Sequence, residues 1–296
     1  MTGRDPRTGA LEAGAVRLAF SVPTRSAAEE QLLYGTYKQC GYEGLQLKSG
    51  QYLEYLAGPG EAEELARQDP GRFSGLIFGG GLDDEGQQTL REVVRFAARV
   101  SSERVIFCHG HPREGLSKGD VRHFADILSR IGREALGLGV KLSLHHHYGQ
   151  PVMHPRDIEV FFEAAMPGTV GLTLDTAHMW KAGHDDVGSV LERFADVIDN
   201  VHLKDCRDDA AGQRLPDGAR VAASFMPLGR GEVDFGPVFG ALSSTGYPGW
   251  VCVDEESGAG VTESLWGSRE FVLEHLGRQP GRTGAAQPTR ASTKYR

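Results

Sequence analysis

Histidines, carboxylates and a lysine stand at the ends of short apolar runs in this chain. They fall in CHGHPREG (His109, His111, Arg113), HHHYGQ (His145, His146, His147), DTAH (Asp175, His178), HLKD (His202, Lys204, Asp205) and DEES (Asp254, Glu255, Glu256). Imidazole and carboxylate groups drawn from separate segments to one place form the donor set of a zinc, manganese, iron or cobalt site. A lone histidine in an apolar strand is more often a hydrogen-bonded core residue. Convergence of several run ends is what favours an ion, the alternative being a buried polar network whose members satisfy each other.

Eight apolar, β-branched-rich runs carry these ends: 16–22, 44–47, 74–79, 104–108, 140–144, 170–174, 200–203 and 250–253. Between them lie amphipathic stretches such as TLREVVRFAARV and VRHFADILSRIGREAL, whose apolar residues recur every three or four positions. Strand–helix alternation repeated eight times predicts a parallel sheet closed into a single (β/α)8 TIM barrel, a fold whose active site lies where strands end and βα loops begin. An open doubly wound sheet is the alternative, but its GxGxxG does not follow the first run, which continues into SVPTRS. The FGGG at 78–81 lacks that spacing and reads as a tight βα turn.

Side chains alternate along a strand, so residues two apart share a face. Cys252, Asp254 and Glu256 fall on one face of the eighth run, with Val251 and Val253 toward the helices, so that either Asp254 or Glu256 is the acid that reaches the ion. His145 and His147 share a face, and His146 is left pointing elsewhere. The metal set read from these ends is His145, Asp175, His202 and one of those two acids, around one divalent ion (Mn, Co or Zn, or else Mg or Fe).

The bulk numbers narrow the partners. A net charge of −8 gives no general attraction to nucleic acid or anionic lipid, which leaves a small polar substrate as the expected partner and a homo-oligomer open. Four cysteines without CxxC spacing and without a leading apolar signal point to a reducing cytoplasm. Residues 1–15 are expected to be a flexible N-terminus, 16–277 the catalytic barrel and 278–296, rich in Gly, Pro, Thr and Arg, a disordered tail.

GYEGLQL (41–47), GVKLSLHHHYGQ (139–150), GLTLDTAHMWKAG (171–183), NVHLKD (200–205), PLGRGEVDF (227–235) and GYPGWVCVDEE (246–256) together resemble the xylose isomerase-like barrel superfamily of sugar isomerases, epimerases and inosose dehydratases, which also includes endonuclease IV. The resemblance implies ligation by Glu, Asp, His and Glu on successive strands, at positions occupied here by His145, Asp175, His202 and Asp254. Two of the four depart, and the paired-glutamate mechanism of the epimerases loses its residues. HHHYG is similar to the HHHMG-like runs of inosose dehydratases, which also carry DT-x-H and HLKD.

This implies a metal-dependent lyase that dehydrates a keto-inositol or related keto-polyol through an enediolate. The carbon next to a polarised ketone loses a proton, and a β-hydroxyl then departs. His147 or Glu256 is the expected base, His178 assists or binds a hydroxyl, and Lys204 neutralises the anion or protonates the leaving group. His109, His111, Arg113 and Arg230 are expected substrate contacts. Residues from about 206 to 236 form a long connection of the kind that serves as a lid or is disordered. The alternatives are a ketose or hydroxypyruvate isomerase or epimerase, which would lose no water, and a non-catalytic sugar-binding barrel, in which Asp175→Ala would change affinity only. A nucleic-acid endonuclease is disfavoured by the negative balance and the lack of a DRH-type motif.

Overall fold

The computed structural model of the protein describes residues 16–276. The expected flexible N-terminus and the tail at 278–296 lie outside the described residues. Strands β1 (Arg17–Ser21), β2 (Gly44–Leu47), β3 (Gly75–Gly80), β4 (Arg104–His109), β5 (Lys141–His145), β6 (Gly171–Asp175) and β7 (Ile198–Leu203) run parallel, each near an apolar run read from the sequence. Two short strands, β8 (Asp205–Asp208) and β9 (Ala223–Met226), pair with each other as an antiparallel hairpin. The chain then returns to β10 (Trp250–Asp254), which closes the barrel against β1 from Arg17↔Trp250 to Ser21↔Asp254.

Helices α1 (Ala27–Thr36), α2 (Gly60–Gln68), α3 (Asp84–Arg99), α4 (Lys118–Gly137), α5 (Pro155–Ala164), α6 (Thr176–Lys181), α7 (Val187–Arg193), α8 (Phe235–Ser244) and α9 (Val261–His275) fill the connections. Short polar residues start many of them. The side chains of Ser26, Asp83, Ser117, Asp175, Asp186 and Asp234 each accept a backbone N–H of the first turn, satisfying donors that a helix cannot satisfy itself. The apolar stripe of α3 (Leu90, Val93, Val94, Phe96, Ala97) is buried. Helix α4 crosses close to the chain before β6: a Cβ at Gly132 would lie 2.1 Å from the Thr169 carbonyl oxygen, so only glycine permits this approach.

The main apolar layer lies between strands and helices and includes Val251, Val253, Leu172 and Leu174. The lumen is different. Gln46, Ser143, Thr173 and Asn200 are fully buried there beside Ala19, Trp250 and Cys252, and Arg104 donates to the Asp199 carbonyl oxygen at 2.7 Å. A lumen lined with polar groups is suited to orienting charged side chains at the mouth above it, in place of the branched apolar layers usual in such barrels. Among the described residues no helix is long and apolar enough to cross a membrane.

Candidate metal centre

Asp175 ends β6, caps α6 by accepting the His178 N–H at 2.9 Å through Oδ1, and is wholly buried. Its other oxygen, Oδ2, has no hydrogen-bond donor and lies 3.4 Å from His145 Nε2 and 3.9 Å from His202 Nδ1. Asp254 Oδ2 is 3.6 Å from His202 Nδ1. Ligand atoms arranged tetrahedrally about one ion at bonds of about 2.1 Å sit about 3.4 Å apart. These separations have that size, and Asp175, His202 and Asp254 can present atoms all within 4.8 Å of one another, as can His145, Asp175 and His178. Each of these two sets, which share Asp175, fits a divalent ion, and neither holds all four of the expected ligands.

The tautomer of His202 is fixed from below. Its Nε2–H donates to Gln46 Oε1 at 2.8 Å, and Gln46 in turn donates to Asn200 Oδ1 at 2.8 Å. Nδ1 is thereby left with its lone pair facing Asp175 and Asp254, the arrangement that orients a ligating imidazole. His146 points away from the mouth, and its Nε2 accepts the Asp175 N–H at 2.9 Å, so it holds the backbone of the central carboxylate. Replacing Gln46 with Leu is expected to weaken metal binding by about 10–100-fold, while Gln46→Glu retains it; competition against a chromogenic chelator measures both. Equal affinity in the Leu variant would remove Gln46 from this role.

Two ammonium groups meet the acid end of the cluster. Lys204 Nζ lies 2.6 Å from Asp254 Oδ2, 3.1 Å from Glu256 Oε2 and 3.7 Å from Asp175 Oδ2. Lys48, one residue past β2, reaches Asp254 Oδ1 at 2.5 Å and Glu256 Oε1 at 2.7 Å. Burial opposes each charge, yet the mutual pairing prevails: Asp254 is held well below the usual carboxylate range and Lys204 above the usual ammonium range. Both oxygens of Glu256 are on lysines, as are both of Asp254, but it is Asp254 that joins Asp175 and His202.

Burial and the neighbouring His145 lower the His147 imidazole to about 4, and its Nδ1 faces the Tyr148 carbonyl oxygen at 2.7 Å. The His147 and His178 rings have centroids 3.7 Å apart. At His145, burial opposes the charge, but the adjacent Cys108 and Asp175 outweigh it and raise the group to about 10, so an incoming ion has a proton to displace there. The β8–β9 hairpin covers this corner, with the Phe225 ring 4.8 Å from Lys204 Nζ and edge-on to His178. The 206–236 connection is thus an ordered roof built by the hairpin.

A cavity of about 350 Å³ opens onto His145, His147, His178, His202, Lys204, Asp254 and Glu256, together with Lys48 and Cys108, which the sequence analysis did not single out. His109, His111, Arg113 and Arg230, expected as substrate contacts, do not line it. On β4 it is Cys108 that faces inward, so alternation sends His109 outward onto Phe124, ring centroids 4.3 Å apart. Arg113 is committed to Asp157 and lies by another surface pocket with His154 and His184. Arg230 is exposed on the turn after β9. Lys204 does not pair with Asp205. The Asp205 carboxylate instead accepts the N–H groups of Cys206, Gly229, Gly231 and Val233.

The buried histidines give a pH dependence. Burial, joined by a neighbouring histidine in each case, lowers His109 and His147 to about 4 and His146 to about 3, whereas the unfolded chain takes up these protons near pH 6.5. Below that pH the unfolded state binds more protons. Metal-free protein is therefore expected to lose several kcal/mol of stability between about pH 6.5 and pH 4, read as a falling urea midpoint; a flat midpoint across that window would contradict neutral burial.

Comparison with known proteins agrees with this architecture. The family model of the xylose isomerase-like TIM barrel matches residues 38–270. The chain is 30% identical over 169 residues to an inosose dehydratase of Lacticaseibacillus casei, covering 51% of this chain and 56% of that protein. It is 33% identical over 162 residues to an inosose dehydratase of Clostridium tetani, covering 52% and 54%. The chain spans about half the length of the curated relatives it matches. Among solved structures, an L-ribulose 3-epimerase superposes with a TM-score of 0.69 at 18% identity, covering 88% of this chain and 95% of that one. The IolI protein with a bound zinc atom gives 0.69 at 17% identity, covering 90% and 99%. These two likenesses speak to the fold alone. With the matched span, the closed eight-stranded barrel and the acid–imidazole mouth in view, the chain belongs to the xylose isomerase-like TIM barrel family.

Proposed function

We propose that this protein is a divalent-metal-dependent dehydratase acting on a keto-inositol or a related keto-polyol. The observation that carries the reading is the wholly buried Asp175 Oδ2, which accepts no hydrogen bond and lies 3.4 Å from His145 and 3.9 Å from His202, with Asp254 in reach of the same ion. The relatives named inosose dehydratase support it. A His-rich donor set favours Zn or Co, with Mn next, over Mg. Four free cysteines among the described residues support a reducing, cytoplasmic setting.

When bound, the ion supplies Lewis acidity to a substrate carbonyl oxygen. His147 is the base in this reading, because its Nδ1–H is spent on the Tyr148 carbonyl and its Nε2 carries the lone pair. It stays neutral at pH 7. Glu256 is the weaker candidate, since both its oxygens are occupied by ammonium groups. His178, in ring contact with His147, binds a hydroxyl or passes a proton on. Lys204 remains cationic and offsets the negative charge that develops when the carbon next to the carbonyl loses its proton. The Phe225 roof excludes water from that corner.

The test is metal analysis of purified protein, followed by incubation of the Zn-, Co- and Mn-loaded forms with keto-inositols and ketoses and mass analysis of the products. Loss of one water is the expected result. A product isomeric with its substrate would replace the lyase by an isomerase, and binding without turnover by any loaded form would make the barrel a non-catalytic sugar binder.

A further inference from the structure

Lys204 and Lys48 look equivalent in charge, but their donors are spent differently. An ammonium has three N–H donors. Those of Lys204 meet Asp254 and Glu256 and lean toward Asp175, beneath the Phe225 ring, and its side chain is only 3% exposed. Lys48 has two acceptors, Asp254 Oδ1 and Glu256 Oε1, and keeps 17% of its side chain exposed while lining the cavity.

Lys48 enters from the end of β2. In the ring order β1-β10-β7-β6-β5-β4-β3-β2 that strand lies diametrically opposite β6, which leads into His178, and three places from β5, which leads into His147. Its side of the cavity is lined by two glycines together with Ser49 and Ile77. A Cβ at Gly50 or at Gly79 would meet nothing within 4 Å, and both glycines line the space beside Lys48. The carboxylates fix the ammonium in place, so little side-chain entropy is lost when its third donor is used.

We propose that Lys48 is a specificity-determining substrate contact, donating its third N–H to a hydroxyl at the non-reacting end of a polyol that lies over Gly79 and Gly50. The proposal rests on the keto-polyol reading above. It assigns the two ends of the ligand: the carbonyl end toward Asp175, His147 and His178, and the far end toward β2 and β3.

The experiment is calorimetric titration of zinc-loaded wild type, Lys48→Met, Lys48→Arg and Gly79→Leu with myo-inositol as a non-reacting probe, with zinc content measured in each. Wild type is expected to bind, and Lys48→Met to bind about tenfold or more weakly, the scale of a hydrogen bond from a charged group. Lys48→Arg, which keeps charge and donors, is expected to fall between them, and Gly79→Leu to lose the probe with its zinc intact. Should Lys48→Met also lose zinc, Gly79→Leu decides, because it touches no proposed ligand of the ion. Probe binding by Lys48→Met and Gly79→Leu as tight as in wild type overturns the anchor and leaves the keto-polyol reading standing. A wild type that binds neither myo-inositol nor a keto-inositol overturns both.

Discussion

Asp175→Asn is expected to leave a folded barrel that holds less than a tenth of the zinc bound by wild type and turns over about 10³-fold more slowly, the loss of several kcal/mol of Lewis-acid stabilisation. Asparagine is as good a helix cap as aspartate, so the bond from His178 N to Oδ1, which begins α6, survives the change. What changes is the inner oxygen. An amide placed there either puts NH2 donors against His145 Nε2 and Lys204 Nζ, now 3.4 and 3.7 Å away, or turns them onto the His178 N–H. The carboxylate charge that His178, Lys204 and His145 sustain against burial is lost in both cases. Zinc content by atomic absorption and thermal unfolding of the metal-free forms separate the two effects. Full zinc occupancy in the Asn variant would put the ion elsewhere and remove the foundation of the proposed chemistry.

The second large effect is on stability. In the metal-free mouth three carboxylates, Asp175, Asp254 and Glu256, face two ammonium groups, and Lys204 touches all three. Lys204→Met leaves Asp254 and Glu256 with Lys48 alone and Asp175 with His145. Breaking a buried pair by removing one partner costs about 3–5 kcal/mol, and that loss is expected in the denaturant midpoint of the metal-free variant. Saturating zinc should recover much of it, since a dication restores the missing charge in the same place. A metal-free variant as stable as wild type would mean that the acids are compensated from elsewhere.

The barrel was legible because each strand is a compact β-branched run between longer amphipathic stretches, and that pattern follows from burying strands under helices. Alternation extended the legibility to single side chains. It put Asp254 on the inner face of β10 with Val251 and Val253 outward, and it turned His146 away from His145 and His147; the structure shows both arrangements. The same rule, carried back one residue on β4, would have turned His109 outward and brought Cys108 in. Lys48 and Gln46 were missed although GLQLKSG carried a signal, a glutamine enclosed by leucines in a strand too short to waste a position. Helix α6, at six residues, is too brief for a period to show. The hairpin was hidden in AAGQRLPDGARV, where turn residues suggest an open loop and the pairing of Asp205–Asp208 with Ala223–Met226 depends on contacts 15 to 21 residues apart in sequence.

The roof over Lys204 and His178 is a ribbon of two four-residue strands, and a lone two-stranded ribbon is marginally stable in water. The Asp205 carboxylate, collecting four backbone N–H groups, ties its base to the chain leading into α8. The barrel strands are held on both sides by neighbours, whereas each strand of this ribbon is paired along one edge only and is otherwise tied down by side chains and loop contacts such as the Glu232 N–H on the Cys206 carbonyl and the Tyr148 hydroxyl on the Arg220 carbonyl. Its amide protons should therefore trade with deuterium long before those of β6 or β7.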